Sequence, residues 1–322
     1  MVWKTLLVGL GKIGMEYDLK KDPGRFVYTH ARAISLHKKF ELVGAVDPSK
    51  EKRKIFTRFY KKKAFSSIKR AFRFQSPDVV VIAAPTSKHL EVLQQTITEG
   101  NPRLILCEKP LANKITEAKK MVSLCSKHKI KLFVNYVRRS NPSVLDIKKK
   151  INQEHFKTPV KGIVWYSRGF LNNASHFFNC LENWLGRVTD YKLADRGEDL
   201  PAGDAEPDVR VFYKKGEVLF SALPRNGIYH HGVEMFFKNG RLRLDHGGRL
   251  IEWNPLAPDR RSLHLQRISE NASLFPPYAN KYQANVFEQI SRFLDGGKYD
   301  LCEGREALAT LDMMLKILNQ RK

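Results

Sequence analysis

Along the first half of the chain, short apolar runs alternate with stretches whose apolar residues recur at helical spacing. The runs are Thr5–Val8, Glu41–Val46, Asp78–Ala83, Arg103–Leu106 and Lys131–Val134. The third contains Val79-Val80-Val81-Ile82 without a polar interruption. Unbroken β-branched runs mark strands buried on both faces, as in a parallel sheet. Between the runs, Ala31–His37, Lys50–Tyr60, His89–Glu99 and Thr116–Lys127 carry the helical pattern. This alternation predicts a doubly wound α/β domain over residues 1–136.

After residue 136 the pattern changes. Pro142–Asn152 reads as a helix. Val160–Ser167, Asp208–Tyr213, Val218–Leu223, Val233–Phe237, Arg241–Leu244 and Leu250–Trp253 then alternate apolar with polar. Lys215-Gly216, Asn239-Gly240 and Gly247-Gly248 supply turn signals between them. Residues 137–322 are therefore expected to form an α+β domain with an open, mostly antiparallel sheet. Helices near Lys281–Leu294 and Glu303–Asn319 close it.

Composition narrows this picture in a few places. At 322 residues the chain suits two domains, and 42% hydrophobic with 28% charged residues fits an ordinary globular protein. No apolar run reaches the roughly 20 residues of a membrane span. The N-terminal apolar stretch is short, meets Gly9 at once and reads as a first strand, not a signal peptide. Cys107, Cys125, Cys180 and Cys302 are far apart, which argues against a disulfide framework or zinc site and fits a reducing cytoplasm. His230-His231 and His246 have no ligand partner at metal-binding spacing, so no metal is expected. The net charge of +24 has three readings: a solvated basic surface, attraction of anionic substrates or acidic membrane surfaces, and nucleic acid. Basic residues such as Lys61–Lys63, Lys148–Lys150 and Arg260-Arg261 lack an aromatic-interleaved motif, which argues against nucleic acid.

The strongest chemical signal follows the first strand. Gly9-Leu10-Gly11-Lys12-Ile13-Gly14 has the spacing G-x-G-x-x-G. The first glycine permits the tight turn, the second lets backbone approach a pyrophosphate, and the third lets helix and strand pack closely. A helix starting there would offer unpaired N–H groups to the phosphates. Asp47 ends the second strand and is the candidate for the adenosine ribose hydroxyls, which favours NAD over NADP. The usual gap to that acid is about 20 residues, and the longer gap here points to an insertion around Glu16–Thr29. Ser49, Lys50 and Arg53 follow closely enough to hold a 2′-phosphate, and Asp47 before Pro48 also reads as a helix N-cap.

Further segments resemble the Gfo/Idh/MocA oxidoreductase family. They are Thr29-His30-Ala31, Leu42–Asp47, Ala84-Pro85-Thr86-Ser87-Lys88-His89, Cys107-Glu108-Lys109-Pro110, Asn135–Arg139 and Gly169–His176. The resemblance implies that Ala84, Pro85, Thr86, His89, Glu108 and Lys109 join Gly9, Gly11, Lys12, Ile13, Gly14 and Asp47 in binding cofactor. It places Lys109 beside the nicotinamide, where a lysine binds or polarises the substrate oxygen and relays its proton. Pro110 invites a cis bond that aims it. His176 is the second acid–base candidate, and Asn172 lies four residues before it, on the same face if the segment is helical. The competing readings are an exposed loop lysine and a buried structural histidine. Tyr136, Arg138 and Arg139 fall where the resemblance puts substrate, with a surface cation as the other reading of the arginines. The family more often has an aspartate at the Asn172 position and another near Asn179. Amides bind hydroxyls but accept no proton at neutral pH. Expected, then, is an NAD(P)-dependent oxidoreductase acting on a sugar, polyol or nucleotide sugar, with the basic charge favouring an anionic one and a role in surface-polysaccharide metabolism. A catalytically silent dinucleotide-binding regulator is the alternative. An uncovered sheet face implies a homo-oligomer, dimer or tetramer, through the C-terminal sheet.

Overall fold

The structure is a computed structural model that describes residues 1–224, 228–259 and 264–320. Arg260-Arg261 lie outside these. By internal contacts the chain forms two compact units. One is Met1–Ser140 with Asn280–Leu311, and the other is Asn141–Ala279 with Asp312–Lys322.

The first unit is built on β1 (Trp3–Val8), β2 (Phe40–Val46), β3 (Ala64–Phe65), β4 (Val79–Ile82), β5 (Leu104–Cys107) and β6 (Lys131–Val134). All pair in parallel, in the order β6-β5-β4-β1-β2-β3. Every residue of β4 and β5 is buried, as their unbroken apolar runs require. Connecting helices are α1 (His30–Leu36), α2 (Lys50–Tyr60), α3 (Ile68–Phe72), α4 (His89–Glu99) and α5 (Ile115–Lys127). The strand order reverses at β1, between β4 and β2, and the carboxyl ends of strands at such a point are where doubly wound folds place ligands.

No regular helix follows the glycine turn directly, contrary to expectation. Gly11 O accepts the N–H of Met15, but Ile13 O and Gly14 O accept those of His30 and Ala31, at 3.1 and 3.0 Å. The predicted insertion thus loops out of a helix that resumes as α1. The buried Asp18 closes its neck, accepting from the backbone of Tyr28 and Thr29 and the Thr29 hydroxyl at 2.6–3.0 Å.

The second unit holds α6 (Pro142–Asn152) and α7 (Ser175–Leu185) against one sheet. Its strands are β7 (Val160–Tyr166), β8 (Val188–Asp195), β9 (Asp208–Tyr213), β10 (Gly216–Ala222), β11 (Gly232–Phe237), β12 (Gly240–Asp245), β13 (Leu250–Pro258), β14 (Gln266–Ile268) and β15 (Ser273–Leu274). The order is β14-β13-β12-β11-β7-β10-β9-β8, with β15 on β13. Only the β7–β10 pair is parallel. Alternation is clean in β12, buried at every second residue. The core includes Tyr166, Phe170, Phe178, Trp184 and Phe220, while Trp165 and Phe236 remain 39% and 45% exposed. β8, absent from the sequence reading, is an edge strand with no fully buried residue, so it carries no apolar alternation to find.

The C-terminal helices do not simply close the second domain. α8 (Tyr282–Leu294) and the strand β16 (Cys302–Glu303) belong to the first unit, with β16 pairing antiparallel to β6. Val286, Phe287 and Ile290 of α8 bury against Phe40 and Phe133 in that unit's core. α9 (Gly304–Asn319) contributes residues to both units. A single boundary between 136 and 137 therefore misses the return of 280–311. Its cause is the apolar face of α8, which covers the first sheet.

Candidate active site

The glycine turn separates into fold-driven and open positions. Gly9 has φ of +103°, and a Cβ there would lie 2.5 Å from Ala83 backbone. At Gly14 a Cβ would fall 2.1 Å from Gly9 O. Packing alone therefore requires both glycines. A Cβ at Gly11 would meet nothing nearer than Lys52 Nζ at 3.8 Å, so nothing in the protein demands a glycine there. Among the described residues, no hydrogen-bond acceptor pairs with the N–H groups of Gly11, Lys12 and Ile13. They form the open first turn of the interrupted helix and aim unpaired donors at whatever occupies the space over Gly11.

Asp47 is only 7% exposed and braces this turn. Its Oδ2 accepts from Leu10 N–H and its Oδ1 from Ser49 N–H, both at 2.8 Å. Two further lone-pair sites remain on the carboxylate for a diol. The N-cap of α2 is Ser49, whose hydroxyl accepts from Lys52 N–H, so Asp47 is not the cap. Arg53 donates to the carbonyls of Asp47 and Pro48 at 2.7 Å.

The loops after β4 and β5 are tied together. His89 is 1% exposed, with Nδ1 3.1 Å from Leu111 O and Nε2 3.0 Å from Ala84 O. It therefore joins the Ala84-Pro85-Thr86 loop to the one following Lys109 and Pro110, and does not itself face solvent. Burial lowers its pKa against the pull of the two carbonyls.

Glu108 and Lys109 leave β5 at its carboxyl end, and the Lys109–Pro110 peptide is cis. Lys109 is partly buried, and its N–H donates to Glu108 Oε2 at 3.3 Å. Below them lies a polar cluster that sequence reasoning missed. Glu108 Oε1 sits 2.7 Å from Nε2 of the buried His30 and accepts from Asn135 Nδ2 at 2.6 Å. Asn135 Nδ2 is also 3.2 Å from Gln283 Oε1 on α8. Burial pushes the Glu108 carboxyl up, but the hydrogen bond and charge of His30, the Asn135 amide and the Lys109 charge outweigh it and hold it below the usual range. Tyr136 and Arg139 are 4% and 5% exposed, and Arg139 pairs with Glu306 at 3.2 Å. Arg139 is thus engaged within its own unit and is not an open substrate contact, whereas Arg138 is partly exposed.

In the second unit, Asn172 and His176 do not share one α-helix. Phe170–Ala174 is a π-helical turn, and α7 begins at Ser175. Two carboxylates from the loop between β8 and β9 set this turn. Asp204 accepts from the N–H of Leu171 and Asn172 at 2.9 and 3.0 Å, and Glu206 from that of Gly169 at 3.0 Å. Gly169 has φ of +100°, and a Cβ there would lie 2.1 Å from Asp204 Oδ2. Asn172 is exposed, His176 partly buried and Asn179 1% exposed. So a carboxylate does lie at Asn172, contributed by a residue 32 positions away.

His230, Asp245 and His246 correct the expectation that these histidines lack a carboxylate partner. Their donor atoms lie within 4.8 Å of one another, with His230 Nε2 3.4 Å from Asp245 Oδ1. The same carboxylate accepts the His246 N–H at 2.9 Å and lies 4.0 Å from Arg243 Nε. That neighbouring positive charge opposes a bound cation.

A family profile described as the oxidoreductase family with NAD-binding Rossmann fold, Gfo/Idh/MocA, matches residues 23–136. A D-xylose 1-dehydrogenase [NADP(+)] of Haloarcula marismortui is 32% identical over 83 residues, 26% of this chain. The match spans only 22% of that curated relative. Solved structures match over nearly the full length. The WlbA dehydrogenase of Bordetella pertussis, in complex with NADH and UDP-GlcNAcA, has a TM-score of 0.75 at 19% identity, covering 99% of this chain and 95% of that one. UDP-N-acetylglucosamine 3-dehydrogenase GnnA of Acidithiobacillus ferrooxidans gives 0.72 at 15%, covering 99% and 97%. An NAD-binding oxidoreductase of Klebsiella pneumoniae gives 0.78 at 14%, covering 100% and 98%. Residues 23–136 of this chain thus match the NAD-binding Rossmann module of the Gfo/Idh/MocA oxidoreductase family.

Proposed function

We propose that the protein is an NAD-dependent dehydrogenase or reductase acting on a hydroxyl or carbonyl of a sugar, polyol or nucleotide sugar. The carrying observation is the open first turn, with three unpaired N–H groups over a glycine whose missing Cβ serves no packing need. A diphosphate satisfies those donors. Asp47 accepts from the adenosine ribose hydroxyls and repels a 2′-phosphate, which selects NAD over NADP. Arg53, already engaged with two carbonyls, offers a phosphate little in return. Ala84, Pro85, Thr86 and Glu108 line the path of the nicotinamide half, and His89 holds that path's two loops together.

When bound, the nicotinamide gives or takes the hydride. Lys109 holds the substrate oxygen and moves its proton at Nζ. Tyr136 and Arg138 are the first unit's own candidates for substrate contact; in the second unit, by side-chain chemistry, His176 suits acid–base exchange and Asn172 suits hydrogen bonding to a hydroxyl. The amide at Asn179 bears little on a silent regulator, because that side chain is buried in α7. Two structural relatives, one in complex with UDP-GlcNAcA and one a UDP-N-acetylglucosamine 3-dehydrogenase, favour a nucleotide-sugar substrate, and hence surface-polysaccharide chemistry. Four buried free cysteines favour a cytoplasmic setting, and no helix among the described residues is long and apolar enough to cross a membrane.

The test is fluorescence titration with NADH and NADPH, followed by turnover on a panel of inositols, sugars and nucleotide sugars. Lys109→Ala should keep NADH binding and lower kcat by about 10²–10⁴-fold. Tight NADH binding with no turnover across the panel favours the regulator, and binding of neither cofactor overturns the proposal.

A further inference from the structure

The charge of +24 is not evenly spread. Residues 50–73 contain eleven lysines and arginines against the single acid Glu51. They form α2, the turn after it, β3 and α3. One side of α2 buries Phe56 in the sheet's core. Outward stand Lys54, Arg58, Lys61 and Lys63, all exposed. Among the described residues none of these four has an acidic partner within ion-pair distance, whereas Lys52 and Lys62 pair with Glu16 and Glu41.

The same side also exposes large apolar groups. Ile55 and Phe59, one helical turn apart, are 39% and 54% exposed. Beyond the turn Phe74 is 65% exposed, with Lys63 Nζ 5.6 Å from its ring centre. Concentrated like charge is self-repelling, and exposed Ile and Phe gain nothing from water. An anionic surface with an apolar layer just beneath relieves both. Nucleic acid would meet the charge and stack on Phe59 or Phe74, but it would leave the exposed aliphatic Ile55 without an apolar environment, which a bilayer supplies.

We propose that the α2–α3 face docks the protein peripherally on anionic phospholipid bilayers, with the basic side chains at the headgroups and Ile55 and Phe59 entering the interface. This goes beyond the proposed reaction and needs none of its residues. The tag-free full-length protein is tested by co-sedimentation with phosphatidylserine-containing and pure phosphatidylcholine vesicles at about 0.1 M salt. Binding should require the anionic lipid and fall about tenfold or more in the double variant Lys54→Glu with Arg58→Glu. Ile55→Ser with Phe59→Ser should weaken it severalfold with the charge unchanged, which a purely electrostatic contact would not show. NADH binding, measured alongside, should be unaltered in both variants. The proposal is overturned by equal binding to both vesicles, by no binding, or by indifference to the charge reversal. It is also overturned if duplex DNA strips the protein from vesicles while Ile55→Ser with Phe59→Ser has no effect.

Discussion

At the scale of residues, the buried cluster beneath Lys109 makes two predictions. His30→Ala takes one of two close side-chain partners from a largely buried carboxylate, and should destabilise by about 3–5 kcal/mol, read from denaturant midpoints. A change below about 0.5 kcal/mol would show that Asn135 alone suffices to hold Glu108. Acid sensitivity follows from two depressed pKa values. Folded His89 resists the proton that the unfolded chain takes up, so stability falls as pH drops below about 6.5. Glu108 adds its own loss below about 4.3, again because the folded state binds the proton less readily. Thermal melts across pH should therefore be flat above neutrality and decline in two stages. The positions of Gly9 and Asp47 at strand ends were legible in the sequence from pattern and spacing, and that of Lys109 through the family resemblance. His30 was visible only as part of a motif, since its partner Glu108 is 78 residues away. Asp204 was invisible for the same reason, since Asn172 lies 32 positions away.

At the scale of elements, hydrophobic period recovered the central strands and long helices, because burial on one or both faces writes that period. β8, β14 and β15 escaped it as short or peripheral strands with no buried residue. The π-helical turn was equally hidden, since its cause is the cap by Asp204 and Glu206 and not its own residues. Asp204→Ala should remove the acceptor for three backbone donors, two of them in the turn, and cost about 1 kcal/mol, as the loss of a helix cap does. Its effect on turnover should exceed that figure, since Asn172 loses its anchor. Glu206→Gln, which keeps an acceptor, serves as the milder control. Unaltered kinetics in Asp204→Ala would detach this turn from catalysis.

At the scale of the whole molecule, we expect a homo-oligomer through the outer sheet face, where Trp165 and Phe236 are exposed. Trp165→Glu with Phe236→Glu should convert it to monomers by light scattering, and a wild type already monomeric at micromolar concentration defeats the idea. The two-part division was readable from the change of pattern near residue 136, but the return of α8 was not, because amphipathicity tells that a helix is covered and not by what. The interrupted helix has a consequence of its own. In a continuous α-helix Ile13 O would receive residue 17 and Gly14 O residue 18, and here they receive residues 30 and 31, an offset of thirteen in both cases. Removing thirteen residues from the loop would splice the helix in phase. It would also shorten the stretch from Gly14 to Asp47 from 33 residues to the roughly 20 seen in uninterrupted dinucleotide folds. The excursion is thus a detachable cassette, tolerable because both of its ends meet on one turn of helix, and a deletion that honours this count should fold where one of eleven or fifteen residues should not.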